Sequence, residues 1–185
     1  NNYYQFNSKS PNLVSADKPI LVAQYFTTQG SYGNQNPHDP EMIYLNPVEQ
    51  TVKDVTVNSM QPAANTNINQ HFINVVLRNA GTGVSSFKLD GVTPNATVIP
   101  LPQDNNYAYM RINFNGNSTT TQLASGAHHL TCDSGFNAIA YGFGTTESYG
   151  YSAGVNLVDF SQRLELGTQY GTERTAVCID ASMKF

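Results

Sequence analysis

The chain has 185 residues, a formal net charge of −4 and only 12% charged residues, about half the share usual in globular proteins. It contains no basic run, which argues against nucleic acid as a partner, because phosphate neutralisation needs clustered Lys and Arg. No apolar stretch approaches the roughly 20 residues of a membrane helix, so this segment is not expected to insert into a membrane.

Polarity comes instead from uncharged groups, 21 Asn and 17 Thr against 9 Lys plus Arg. Such a chain lacks the residues that build solvent-facing helices. Its Thr, Tyr, Phe and Val fit a pleated, half-buried surface.

Residues 1–17 are polar around Pro11 and read as an N-terminal arm or edge strand. The chain opens at Asn1 with no signal peptide and is read as a mature or excised piece. The apolar run 20–26 has the length of a buried strand. Residues 29–40 hold Gly, Asn, Asp and Pro without periodicity and predict a long loop, a common seat of function. Short strands are expected at 42–45 and 52–57, separated by Asn46-Pro47.

Strand alternation is clearest at 71–78, where His71, Ile73, Val75 and Leu77 share one face, with Phe72, Asn74, Val76 and Arg78 opposite. Segment 85–89 alternates and stops at Asp90-Gly91, a hairpin signal. Segment 107–114 puts Ala108, Met110, Ile112 and Phe114 on one face, with Arg111 and Asn113 opposite, and ends at Asn115-Gly116, a second hairpin signal. After a strand at 119–123, residues 129–132 meet an expected turn at Asp133-Ser134-Gly135.

Segment 136–143 opposes Ile139, Tyr141 and Phe143 to Ala138, Ala140 and Gly142, small residues that imply close packing above them. Further strand candidates are 149–151, 155–157, 163–166 and 177–179. Strands at roughly ten-residue spacing with punctuating turns indicate an all-β fold, an antiparallel β-sandwich of jelly-roll-like or Ig-like form. Length favours a single domain at 18–174, with 175–185 the last strand or the start of a following module.

Two segments, SGFNAIAYGFGTTESYGYSAG at 134–154 and PEMIYLNPVEQ at 40–50, resemble the IgGFc-binding-type N-terminal domain of secreted bacterial surface proteins. The likeness spans about 19–160 and is densest at 136–154. It implies an extracellular, β-rich module in gliding- or adhesin-like proteins, many exported by the type IX system, with adjoining domains of the same surface protein as neighbours. The family takes its name from mucosal proteins that bind antibody Fc. The resemblance bears on location and class rather than on ligand.

Candidate chemistry is sparse. His128 and His129 are adjacent, so on a strand they face opposite ways and cannot grip one metal together. His38, Asp39 and Glu41 flank the long loop; Asp39 and Glu41 offer oxygens for calcium, or the group is turn chemistry before Pro40. Cys132 and Cys178 either form a disulfide, the natural pairing in an exported chain, or remain two buried thiols.

No Gly-x-Ser-x-Gly elbow or phosphate-cradling loop occurs, and no carboxylate pair is singled out, so no catalytic residue is assigned. Tyr32, Tyr149 and Tyr151, with His38, are the candidate ligand contacts. Tyr149 and Tyr151 are placed in a loop at 147–152, the alternative being that they pack the sandwich. The expected function is non-enzymatic adhesion to a glycan or to a host or neighbour-cell protein through end loops, outside the cell or on its surface. Alternatives are a structural spacer or assembly module, and a carbohydrate-active enzyme with facing carboxylates.

Overall fold

A computed structural model describes residues 3–8, 10–27, 39–60, 68–114, 126–144 and 147–156. These form an all-β antiparallel sandwich of a two-stranded and a seven-stranded sheet. The small sheet pairs β1 (Ala23–Phe26) with β2 (Glu41–Tyr44). The large one holds β3 (Val52–Ser59), β4 (Ile68–Arg78), β5 (Lys88–Leu89), β6 (Val98–Leu101), β7 (Asp104–Asn113), β8 (Gly126–Gly144) and β9 (Ser148–Ser152). One helical turn, α1 (Gly83–Ser86), precedes β5.

The 19-residue β8 is the spine of the large sheet. Its first part pairs with β3 and β5, through Thr56↔His129 and Leu89↔Leu130. From Phe136 onward it pairs with β4 and β9, through Ile73↔Ala140 and Gly142↔Tyr149. The change of partners falls at Asp133-Ser134-Gly135. The sequence suggests a turn there, but β8 runs straight through. Val52 pairs with Phe136 and Asp54 with Thr131, so four residues of β8 stand opposite Lys53 alone. Gly135, with φ 78°, supplies the left-handed backbone that such a bulge requires.

The strand faces follow the sequence alternation. His71, Ile73, Val75 and Leu77 of β4 are buried, as are Ala108, Met110 and Ile112 of β7. The apolar ones join Val57, Phe87, Leu89, Leu130, Phe136, Ala138 and Ala140 in one core. Phe87 and Phe136 meet edge to face at 5.4 Å within it. Asp90 and Gly91, with φ 51° and 81°, form the expected two-residue hairpin closed by Leu89↔Val92. The large–small alternation of β8 also serves packing: a Cβ on Gly142 would collide with the Tyr149 ring and the Gln70 carbonyl.

Three expectations need correction. The run 20–26 is not a buried strand: β1 begins at Ala23, and Ile20, Leu21 and Tyr25 are exposed. A two-stranded sheet has one face to bury, and it buries Ile43 and half-buries Phe26. Residues 85–86 are helical rather than extended, because the Ser86 N–H donates to Thr82 O at 2.8 Å and closes a turn. Residues 155–156 carry no strand. The expected turn at Asn115-Gly116 and the strands at 119–123, 163–166 and 177–179 lie outside the described residues.

Candidate functional site

Chemically able side chains gather in two places, one sealed and one open. The sealed group occupies one end of the core. His71 and His128 point inward from β4 and β8, beside Ser59 of β3 and Tyr149 of β9, and all four are at most 5% exposed. The parity of each strand sends them there, since they share faces with Ile73, Leu130, Val57 and Tyr151. Buried polar atoms need partners.

His71 Nδ1 meets the Tyr149 hydroxyl at 3.0 Å, and His128 Nδ1 meets Asp90 Oδ2 at 2.9 Å. Asp90 also accepts the His129 N–H, and Phe114 stacks on His128 at 4.5 Å. Burial, reinforced by the charge of His128, lowers the His71 pKa from its ordinary value. Burial raises that of Tyr149, against the opposing effects of the Ser59 hydroxyl and the Met60 backbone. The Tyr149 phenol is therefore held neutral at physiological pH.

Asp90, His128 and Ser59 are the residue types of an acyl-transfer triad. Their geometry is different: Ser59 Oγ and His128 Nε2 make no hydrogen bond to each other, and Ser59 is fully buried. A base must reach its nucleophile, and the nucleophile must reach substrate. The cluster holds strands together.

The open group lies on the outer face of the large sheet. Tyr141 and Phe143 are covered there by the small sheet, with Phe26 at 5.0 Å from Tyr141 and 5.4 Å from Phe143. Ile43 sits over Gly150, where a Cβ would crowd it, and Asn46 Nδ2 donates to Ser152 Oγ at 2.7 Å.

Across β4, β7 and β6 no described element lies over that face. Register places Arg78 opposite Tyr107, Val76 opposite Tyr109, and Asn74 opposite Arg111, with exposed Ile99 beside Tyr109. Arg111 lies over the Phe72 ring at 4.3 Å, and Arg78 lies 5.9 Å from the centre of the Tyr107 ring. Neither arginine makes an ion pair among the described residues. Arg111 also works against the upward pull of burial on the Tyr141 hydroxyl, which donates to Asn74 Oδ1 at 3.1 Å.

The sequence candidates fall elsewhere. Tyr149 and Tyr151, read both as a short strand at 149–151 and as ligand contacts in a loop at 147–152, lie on β9. Tyr149 is buried, and Tyr151 Oη donates to Asn58 O at 2.7 Å while accepting the Asn58 N–H at 2.6 Å. Gly142 of β8 receives the Tyr149 ring, while Gly150, between the two tyrosines, faces Ile43 on the other side. Asp39 is exposed, and Glu41 Oε1 accepts from Ser148 Oγ at 3.3 Å.

Among the described residues no group of three or more His, Cys, Asp or Glu is placed to hold a metal. Tyr32 and His38 lie outside the described residues, as does Cys178. Cys132 is buried, with its thiol donating to Gly83 O at 3.2 Å. His128 and His129 do face opposite ways: His129 Nε2 reaches Asp54 Oδ1 at 2.8 Å on the exposed side.

A groove of about 470 Å³, lined by Thr51, Val52, Lys53, Asp54, Val155 and Asn156, opens widely to solvent and has Asp54 as its one carboxylate. The sequence already placed Arg78 and Arg111 on faces opposite the core. It could not show that β4 and β7 are neighbours, which is what joins the two arginines into one surface.

The sequence model of the family described as IgGFc binding protein matches residues 1–142. No curated protein and no solved structure matches.

Proposed function

This chain belongs to the IgGFc-binding protein family, and from that premise we propose that it is a non-enzymatic, extracellular binding module that holds a protein partner against the open half of its large sheet. The observation that carries this reading is the placing of two arginines over aromatic rings, beside Tyr107 and Tyr109, on a face that no described element covers. Tyr and Arg are the residues enriched at protein interfaces and at their energetic centres. Tyr107, Tyr109, Val76 and Ile99 supply the apolar area between two guanidiniums. The family's name supports a protein as the ligand class, and its members' usual setting supports an extracellular location. Among the described residues no helix is long and apolar enough to cross a membrane.

The test is capture from an array of extracellular proteins, including antibody Fc, and of glycans. The probes are the wild-type chain and the Arg78→Glu/Arg111→Glu variant, each confirmed as folded by circular dichroism. Saturable protein capture lost in the variant is the expected result. Capture that survives the double charge reversal would move the site off this face. A blank from folded wild-type chain would favour the spacer role, in which only adjoining domains are partners.

A further inference from the structure

Resting on that reading, we infer that the open face is a receptor for an extended acidic segment of its partner, with two carboxylates four residues apart seated on Arg78 and Arg111. Arg78 stands opposite Tyr107, and Arg111 lies four residues further along the same strand. At about 3.3 Å per residue the two backbone positions are roughly 13 Å apart along β7. Acids at positions i and i+4 of an extended chain have the same separation and point the same way.

Between the arginines the face is apolar: Val76, Tyr109 and Ile99 stand side by side on β4, β7 and β6. They suit an apolar side chain at i+2 and offer little to the hydroxyls of a sugar.

Charge supports the same occupant. The chain as a whole is acidic, at −4, yet this face carries two arginines and no carboxylate among its described residues. The nearest acid at the start of β7, Asp104, is tied to Asn106 through its N–H at 3.0 Å and its Nδ2 at 2.8 Å. The Phe72 ring covers one side of the Arg111 guanidinium, which also faces the Tyr141 hydroxyl, and Arg78 lies near the Tyr107 ring; the remaining in-plane donors of each suit a two-pronged bond to a carboxylate. A fork already held on a ring loses little freedom when it binds.

The experiment titrates the ¹⁵N-labelled full chain with peptides to millimolar concentration and follows amide shifts. The first peptide carries the core Glu-Thr-Leu-Thr-Glu, the second brings its two acids to i and i+2, and the third replaces both with Lys. Saturable shifts on β4 and β7 with the first peptide are expected, with at least tenfold weaker binding of the other two. Arg78→Gln and Arg111→Gln should each weaken the first peptide about tenfold, and Arg111→Lys should recover only part, since it keeps the charge without the fork.

Equal affinity for the two acidic peptides, or indifference to the arginine substitutions, would overturn the inference. So would an acidic oligosaccharide that binds this face while the first peptide does not. Arginine-dependent protein capture on the array, with no peptide binding, would sink this inference alone. Capture independent of the arginines would sink the proposed function with it.

Discussion

At the sealed end of the core, Tyr149 turns its hydroxyl onto His71 and lays its ring over Gly142. On the open half of the sheet, Tyr107 and Tyr109 stand beside Arg78, Val76 and Arg111 with no described element above them. The two regions use similar side chains and share β4, whose odd residues feed one and whose even residues feed the other. The paired polar atoms of the first, His71 with Tyr149 and His128 with Asp90, find their partners within the chain, so losing one member leaves the other stranded. The arginines of the second make no ion pair among the described residues and keep charge for something outside. The sealed region should therefore govern stability and the open one binding.

The largest test of this division removes Phe114, which stacks on His128 and closes the sealed end. Phe114→Ala should lower unfolding free energy by about 3 kcal/mol, the ordinary cost of truncating a buried phenylalanine. Tyr149→Phe deletes the partner of His71 Nδ1 and should cost about 1–3 kcal/mol in urea titrations, through a stranded buried nitrogen. Protein capture by either variant, measured where it remains folded, should match wild type.

Acid should unfold the molecule from the same end. The folded-state pKa of His71 is lowered, by burial first and then by His128, so the unfolded chain binds the proton more readily. Stability from this residue is complete above the unfolded value near 6.5. It falls with pH below that point, by at most about 1.4 kcal/mol per unit. Urea midpoints measured from pH 7.5 to 5 should decline below about 6.5, and His71→Asn should flatten the decline. A midpoint that rose on acidification would contradict the sign. The smallest effect belongs to the open half: Arg78→Gln and Arg111→Gln should each shift unfolding by no more than about 0.5 kcal/mol.

Much of this division can be read from the chain alone. The alternation at 71–78 and 107–114 assigns inner and outer faces correctly, and Asp90-Gly91 turns where its backbone preference requires. Local rules fail where the deciding contact is distant. Asp133-Ser134-Gly135 suits a reversal or a bulge equally well, and pairing of β3 on both sides of it selects the bulge. The sequence leaves Tyr149 and Tyr151 open between loop contacts and sandwich packing, and Gly142 beneath one ring and Asn58 clamping the other decide for packing. The arginine pair depends on β4 and β7 lying side by side, a fact of strand order and not of sequence spacing.

The most direct test of the central claim compares Arg78→Glu/Arg111→Glu with Tyr149→Phe, measuring unfolding free energy and protein capture on the same preparations. The arginine variant should keep its stability to within about 1 kcal/mol and lose capture, while Tyr149→Phe should lose stability and keep capture. Capture retained by the arginine variant, or lost by folded Tyr149→Phe, would contradict that claim.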